Sequence, residues 1–362
     1  MRTDIIPHIT RQEMFPDTNS PELKTTKPAL YQTTARYGRS DLRKSLWQLF
    51  DTFVPYLTLW AFMVYTVQQQ FSYWITLTLA SLAGGLLVRI FILFHDCCHG
   101  SFFASRRANT VLGYVTGILT FTPFEDWRHA HNRHHATAGN LDRRGIGDVW
   151  TMTTEEYLAA PLARRFAYRF YRNPFILFGP GSLLLFLFLQ RFPKKGGGKR
   201  ERKSVLVTNA ALLLVVGVAA WTIGFQTYLL IQLPVILIGG GLGLWLFYVQ
   251  HQFEDAYWMR HQSWDPMSVA LDGSSYFKLP KILQWFTGNI GLHHIHHVRP
   301  TIPNYNLQQC QDEISALQTV KAITLRTSIK LLRLGLYDEK NKKLVSFRSL
   351  ATAGREVDRN MI

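Results

Sequence analysis

The chain has 362 residues, of which 47% are hydrophobic and 14% are aromatic, and its formal net charge is +16. Long stretches almost free of charge alternate with strongly basic polar stretches, and several apolar runs reach the roughly 20 residues that cross a bilayer. This pattern predicts a polytopic membrane protein with sizeable aqueous parts and disfavours a large soluble helical protein. The three cysteines form no disulfide framework, which fits a reducing compartment.

Residues 1–45 are predicted to form a cytoplasmic tail that ends in a group of arginines and a lysine. Two apolar runs follow at about 46–67 and 73–94, and the glutamine-rich connection between them contains no lysine or arginine. Because basic residues favour the cytoplasmic side, we expect the tail inside, the connection outside and the second span returning inward. This topology brings His95 to the cytoplasmic surface.

The next apolar run, at 111–124, is too short to span comfortably and is predicted to be interfacial or re-entrant. The run at 174–189 is also expected to dip into the membrane and return. A full crossing would place the densely basic loop at 191–203 outside, against the charge rule. Two further spans are predicted at about 204–224 and 226–250.

The predicted architecture is therefore an all-α polytopic membrane protein with four transmembrane helices, interfacial segments and a cytoplasmic helical cap that holds a di-metal site. Residues 46–310 form the membrane domain with the histidine clusters. Residues 311–362 are expected to form a basic cytoplasmic helix and a loose tail. Within them, 312–334 suggests one helix with Ile314 and Leu317 on one face.

Eleven of the thirteen histidines fall in four places, at 95–99, 129–135, 251 and 293–297. Such dense imidazoles would charge and repel one another unless a metal used their lone pairs. Residues three and four apart share one face of a helix, and this spacing selects most of the set. His129 and His294 face away from the pattern. The candidate metal ligands are His95, His99, His131, His134, His135, His251, His293, His296 and His297.

Nine imidazoles are too many for one ion, because zinc, for example, is usually satisfied by three or four ligands. Two metals with four or five nitrogens each would use the set. Nitrogen ligands suit iron, copper, nickel or zinc, so the ligand type alone does not choose the metal. The position of the site indicates the metal, because the site is expected at the cytoplasmic mouth of a helix bundle, where a lipid tail can reach it. Removing hydrogen from an unactivated methylene requires oxygen activation, and iron is its usual carrier.

Four polar residues lie beside these histidines in the sequence and are candidates to orient the imidazole rings. For Glu254 and Asp255 the alternative is a solvated acidic pair. No catalytic side chain beyond the metal centre is expected. The four candidates are Asp96, Glu254, Asp255 and Asn289.

The motifs resemble the three boxes of the integral-membrane fatty acid desaturases, HxxxH, HxxHH and HxxHH. Here they read HDCCH at 95–99, HNRHH at 131–135 and HHIHH at 293–297. The flanking stretches, including FYVQHQFEDAYW around His251, look most similar to bacterial acyl-lipid desaturases of the Δ5 and Δ12 kinds. Cys98 is a departure, since relatives commonly have glycine there.

The resemblance implies a di-iron centre that uses O2 and two electrons to place a cis double bond in an acyl chain of a membrane glycerolipid. It implies the eight box histidines as iron ligands, and His251 matches the place of a ninth ligand in relatives. The HxxxH form of the first box, rather than HxxxxH, favours a lipid-linked substrate over an acyl-CoA. The expected location is a bacterial inner membrane, with the boxes on the cytoplasmic side.

The electron donor is expected to be a separate protein, because the His-Pro-Gly-Gly signature of a fused cytochrome b5 is absent and the predicted tail is too short to hold one. A basic cytoplasmic face attracts an acidic carrier, and a ferredoxin is our hypothesis. Attraction to anionic lipid headgroups is an alternative explanation of the same charge. No nucleic-acid partner is expected.

Two other functions use similar features. One is hydroxylation or ketolation of a carotenoid, sterol or alkane. The other is a membrane metal transporter or sensor without enzymatic activity, which would place its ligands inside the spans near the bilayer midplane.

Overall fold

The computed structural model describes residues 27–350, so 1–26 of the predicted N-terminal tail and 351–362 of the predicted C-terminal tail lie outside the described residues. The described part is mostly helical. Its helices are α1 (Lys27–Thr33), α2 (Leu42–Gln68), α3 (Tyr73–His99), α4 (Arg106–Leu119), α5 (Phe124–Thr137), α6 (Thr154–Ala159), α7 (Leu162–Tyr171), α8 (Pro174–Phe178), α9 (Pro180–Leu183), α10 (Lys199–Thr222), α11 (Phe225–His251), α12 (Pro266–Asp272), α13 (Lys281–Phe286), α14 (His293–Val298), α15 (Asn304–Glu313), α16 (Ser315–Gln318) and α17 (Leu325–Leu331).

The strands are short and belong to two small sheets. They are β1 (Met152–Thr153), β2 (Tyr276–Phe277), β3 (Ala322–Ile323), β4 (Leu334–Asp338) and β5 (Lys343–Ser346). In one sheet β4 pairs with β1 in parallel and with β5 in antiparallel fashion, and in the other β2 and β3 are parallel. The all-α prediction is confirmed in outline, with these strands as a minor addition to the cap.

The four predicted spans correspond to α2, α3, α10 and α11, which are all long and apolar enough to cross a membrane. The segment Pro174–Arg191 also meets this criterion, although it is only 18 residues long. It is not a continuous α-helix, because α8 and α9 are followed by a π-helical turn and a 3-10 turn. Its expected dip into the membrane and return stays a prediction.

The central helices α3 and α11 approach closely at small residues. A β carbon on Gly84 would lie 2.8 Å from Cγ2 of Ile238 and 3.1 Å from the backbone nitrogen of Gly239. Small residues at membrane helix interfaces let backbones meet, and van der Waals packing then drives the association. This contact fixes how the C-terminal ends of the two helices, which carry histidines, lie beside each other.

A buried ion pair ties α2 and α3 to the cap. Nη2 of Arg89 lies 3.2 Å from both carboxylate oxygens of Asp51, and its Nε donates to Oγ1 of Thr52 at 2.9 Å. The guanidinium also stacks on the Trp285 ring at 4.3 Å and donates to the Trp285 carbonyl. Because Trp285 lies on α13, this contact positions the chain that leads into the third histidine motif.

The C-terminal prediction of one helix over 312–334 is wrong. In the structure α15 ends at Glu313, because Ile314 is extended at φ −116° and ψ 102°, and α16, β3 and α17 follow separately. Ile314 and Leu317 are buried against the cap rather than on one face of a long helix. The tail after 333 is not loose as far as it is described, since β4 and β5 form a hairpin.

The tight contact between α3 and α11 predicts different effects for two glycine substitutions. Gly84→Ala is expected to lower the unfolding midpoint of the purified protein in detergent, because overpacking costs about 1–3 kcal/mol. Gly243→Ala is the matched control on α11, since its β carbon would meet no atom within 4 Å. It should leave the midpoint unchanged or raise it through helix propensity. Equal shifts for both variants would contradict the packing account.

Candidate metal centre

The histidines of the first motif lie on the last turn of α3. The helix ends directly after His99, because Gly100 adopts the left-handed conformation at φ 68° and its backbone N–H caps the carbonyls of Asp96 and Cys97. His95 and His99 are four residues apart and therefore lie on one face. They lie at the end of a span rather than at its middle.

The second motif is carried by α5, which is held against the start of α10. The carboxylate of Asp126 accepts from Nζ of Lys194 at 2.9 Å, and that of Glu125 accepts from Nη2 of Arg200 at 2.7 Å. The backbone N–H of Glu125 donates to Oγ of Ser204 at 3.0 Å. Acidic residues in the first turn also suit the helix N-terminus electrostatically. These contacts fix the rotation of α5 and so the direction of its histidines.

The third motif forms the short helix α14, and the single histidine of α11 completes the set. All nine predicted ligands come together from four separate parts of the chain. They form two groups, and within each group the candidate ligand atoms lie within 4.8 Å of one another. The first group is His95, His99, His131, His135 and His296, and the second is His134, His251, His293 and His297.

The Nε2 atoms converge in both groups. In the first, Nε2 of His296 lies 3.1 Å from Nε2 of His95 and 2.9 Å from that of His135. In the second, Nε2 of His251 lies 3.1 Å from that of His134 and 2.9 Å from that of His293.

Metal ions fit these distances. Two nitrogens bound at right angles to one ion, with bonds of about 2.1 Å, are about 3.0 Å apart. Hydrogen bonds between the rings do not account for the whole set, because each neutral imidazole has only one N–H. In addition, Nε2 of His99 is buried with no hydrogen-bond partner among residues 27–350. The residues present therefore fit two metal ions.

Burial prepares these rings to be ligands. It lowers the pKa of the histidines outside the spans well below the ordinary value, because desolvation disfavours the charged imidazolium. The neighbouring histidines lower these pKa values further. The rings are therefore neutral at pH 7, with a free lone pair for a metal. The histidines affected are His131, His135, His293, His296 and His297.

Three acceptors hold the outer nitrogens of the ligand rings. Nδ1 of His95 lies 3.2 Å from Oδ1 of Asp96, Nδ1 of His134 lies 2.6 Å from Oδ1 of Asp148, and Nδ1 of His251 lies 3.1 Å from the carbonyl oxygen of Gly273. An acceptor at Nδ1 keeps the hydrogen there and leaves the Nε2 lone pair for a metal. Asp96 was singled out from the sequence, whereas Asp148 and Gly273 were not.

Asp148 could have been found only by its place in a polar stretch after the second motif, because it is 14 residues from the ring it contacts. Its other oxygen, Oδ2, accepts from the backbone N–H of Gly145 at 3.2 Å. The loop thus folds the carboxylate back onto His134.

The other three residues predicted to orient the rings do not do so directly, since none of their side chains bonds to a ligand imidazole in the described part of the chain. Asp255 is 70% exposed and lies 3.6 Å from Nζ of Lys321. Glu254 is also exposed, because α11 ends at His251 and the chain turns toward solvent. Nδ2 of Asn289 donates to the Asn304 carbonyl at 3.1 Å, and the Asn304 side chain in turn donates to the carboxylate of Asp96.

The two histidines expected to face away belong to neither group. Nε2 of His294 lies 3.0 Å from Oε1 of Gln311, so this ring joins α14 to α15. Burial lowers the pKa of His294 to about 4. His129 lies on α5, and its Nε2 is buried with no hydrogen-bond partner among the described residues.

Comparison with known proteins identifies the family. A family model described as fatty acid desaturase matches residues 72–326, which include both histidine groups. A fatty acid desaturase of Bacillus subtilis is 47% identical over 321 residues, covering 89% of this chain and 91% of that protein. The chain belongs to the fatty acid desaturase family. It is a membrane oxidoreductase of that class.

More distant relatives of the desaturase carry more specific names. An sn-1 oleoyl-lipid 12-desaturase of Synechocystis sp. is 26% identical over 242 residues, covering 62% of this chain and 64% of that protein. An sn-1 acyl-lipid omega-3 desaturase (ferredoxin) of Nostoc sp. is 28% identical over 272 residues, covering 70% of this chain and 71% of that protein.

The contact between Asp148 and His134 predicts a selective loss of metal from the second group. In the desaturase, Asp148→Asn is expected to lower the metal affinity of this group by about 10- to 100-fold, as is typical when a partner of a ligand ring is changed. Elemental analysis after dialysis against a weak chelator should find about half of the wild-type metal content. Asp255→Asn is the control, because Asp255 contacts no ligand ring. Equal metal content in the two variants would rule out this role of Asp148.

Proposed function

We propose that this desaturase introduces a cis double bond into acyl chains of membrane glycerolipids, with two iron ions as cofactor and O2 as co-substrate. The observation that carries the proposal is the convergence of nine imidazoles, six buried and three half-buried, into two adjacent groups beside the ends of membrane helices. The relatives named as acyl-lipid desaturases support a lipid-linked substrate. The first group would hold one iron with up to five nitrogens, and the second group would hold the other with four.

Iron bound at these groups would supply the O2 activation that removal of hydrogen from an unactivated methylene requires. The chain's own residues keep the rings in position. Asp96, Asp148 and the Gly273 carbonyl fix the ring tautomer, and Trp127 stacks on His131 at a centroid distance of 4.3 Å.

Aromatic side chains also pack against the two histidine groups. The Phe247 ring lies 5.3 Å from that of His134 and 5.4 Å from that of His251. Trp127 packs in turn on Phe91 and Phe94, with centroid distances of 5.3 and 5.1 Å. An acyl chain next to these aromatic rings would meet an apolar surface. This supports a hydrocarbon rather than a polar group as the reacting part of the substrate.

The lipid-facing surface supports delivery of the substrate from the bilayer. On α10 the side chains of Leu213, Leu214 and Trp221 are 74%, 68% and 87% exposed. By the distribution of basic residues, we propose that the histidine groups face the cytoplasm of a bacterial inner membrane.

A separate electron carrier, which we propose to be a ferredoxin, would deliver the two electrons. A relative whose name includes ferredoxin supports this choice. The net charge of +16 favours an acidic carrier.

The ligand assignment predicts the product profile of a histidine variant. In a host that lacks the corresponding unsaturated lipid, the wild-type chain should produce a new unsaturated fatty acid, two mass units lighter than its precursor, detectable by gas chromatography and mass spectrometry. His296→Ala should abolish this product, because Nε2 of His296 lies between two other ligand nitrogens. His261→Ala serves as control, since His261 lies outside both groups. A gain of sixteen mass units would instead indicate hydroxylation.

The proposed docking of an acidic carrier predicts a dependence on salt. Raising the ionic strength from 0.05 to about 0.5 M should slow electron transfer from reduced ferredoxin to the desaturase, because exposed charges farther apart than the Debye length are screened. The rate can be measured by stopped-flow absorbance of ferredoxin. A rate independent of salt would count against electrostatic docking.

A further inference from the structure

Helix α7 exposes a row of large apolar side chains. Leu162, Phe166 and Phe170 follow one another at intervals of four residues, and they are 80%, 73% and 55% exposed. The same short helix carries Arg164, Arg165 and Arg169. A basic helix with one apolar face lies in the plane of the membrane interface, with that face among the acyl chains.

The next segment supports this location. α7 leads within three residues into the apolar segment Pro174–Arg191, whose first turn exposes Phe175 to 87%. The apolar face of α7 and the start of this segment therefore meet the bilayer at the same level. Anything that lies beside the first turn of α7 is at the depth of lipid headgroups.

A cavity of about 560 Å³ lies beside that turn. It is bounded on one side by the end of α6 and the start of α7, and on the other by the loop that runs from residue 144 to residue 152. The wall combines charged and apolar groups. The residues that matter for its chemistry are Arg144, Asp148, Trp150, Glu156, Pro161 and Arg164.

The wall carries two arginines and two acids, and these differ in whether they have partners. Glu156 is engaged by Arg144 and by the backbone N–H of Thr153 at 3.0 Å, and Asp148 is engaged by His134 and Gly145. Arg164 is exposed and has no ion pair within residues 27–350. The cavity therefore offers an unpaired guanidinium beside two acids that already accept hydrogen bonds from other groups.

The same cavity is adjacent to the second histidine group. Asp148 and Val149 line it and also line a narrow cavity that is bounded by His134, His251 and Phe247. These two residues alone are shared between the two cavities. A molecule in the larger cavity is thus separated from two candidate metal ligands by one short stretch of chain.

We infer that this cavity binds the phosphate of the substrate's headgroup, so that the lipid is a phospholipid held by Arg164, with Arg144 beside it. The inference deepens the proposed function and rests on it. A guanidinium recognises phosphate through paired N–H donors, and the interfacial position of α7 presents it to a lipid that is still in the bilayer. The acyl chain then passes Val149 toward the histidine groups.

Binding of a short-chain probe tests this inference without requiring turnover. The full-length protein in detergent is titrated with dihexanoylphosphatidylglycerol, and binding is followed by calorimetry. Arg164→Gln is expected to weaken binding about tenfold, because it removes a charged hydrogen-bond donor. Arg164→Lys keeps the charge and should recover part of the affinity. Arg202→Gln, which makes the same charge change on the basic start of α10, should bind like the wild type.

Two further titrations identify the ligand chemistry. Inorganic phosphate alone should bind at least tenfold more weakly than the phospholipid, because it makes no contact with the apolar face of α7. Dihexanoylglycerol, which lacks phosphate, should also bind more weakly, and Arg164→Gln should not change its affinity. Inorganic phosphate binding as tightly as the lipid would overturn a headgroup site, and an equal affinity for dihexanoylglycerol would overturn a phosphate site.

The corresponding kinetic measurement uses the enzyme in phospholipid nanodiscs diluted with a neutral glycolipid. Arg164→Gln should raise KM for the phospholipid while leaving kcat within about twofold of the wild type, because Arg164 lies outside the metal groups. An active wild type with an unchanged KM in Arg164→Gln would refute the headgroup site while leaving the proposed function intact. A wild type that forms no double bond but shows Arg164-dependent binding would instead count against the proposed function.

Discussion

Nine imidazoles, six of them buried and three half-buried, converge in two adjacent groups, and this sets the main physical constraint on the molecule. A buried imidazolium is costly, and two adjacent ones are costlier, so the rings must stay neutral. Neutral rings whose Nε2 atoms approach to 2.9–3.1 Å cannot all satisfy one another by hydrogen bonds. Metal ions could take these lone pairs, and their binding would then contribute to the free energy of folding.

The rest of the fold delivers these rings to one place. Two of the four contributing parts are the ends of the long helices α3 and α11, whose contact at Gly84 and Gly239 sets the spacing of those ends. The other two are the short helices α5 and α14, which need external supports because short helices are marginal by themselves. Asp126 and Lys194 support α5, and the Arg89 contact with Trp285 fixes the approach to α14.

The histidine set could be predicted from the sequence because its signal is local. Spacings of three and four residues place rings on one helix face whatever the tertiary structure, and the uncharged runs mark the spans equally directly. The role of Asp148 could not be predicted from the sequence, because a loop folds its carboxylate back onto His134, which lies 14 residues away along the chain. The prediction that Glu254 and Asp255 orient a ligand ring failed for the opposite reason. They are close to His251 in sequence, but the helix ends at His251 and their side chains do not reach a ligand ring.

The same contrast explains the error at 312–334. Ile314 and Leu317 have helical spacing, but both are buried against elements distant in sequence, and β3 pairs with β2 across more than forty residues. Tertiary contacts of this kind override local periodicity. The four spans are free of this problem, because an isolated chain segment in a bilayer must satisfy its backbone hydrogen bonds internally.

The basic residues serve several different purposes in this fold. Arg89 pairs with Asp51, Lys194 with Asp126, and Arg200 with Glu125. These cations hold helices in position and are not free to attract a partner protein. Each of these pairs is neutral and already cancels in the net charge, so the excess of +16 comes from other basic residues. Arg164 differs because its guanidinium has no ion pair among the described residues and stands at the mouth of a cavity. An unpaired cation beside such a cavity is the kind of group that a lipid phosphate can neutralise.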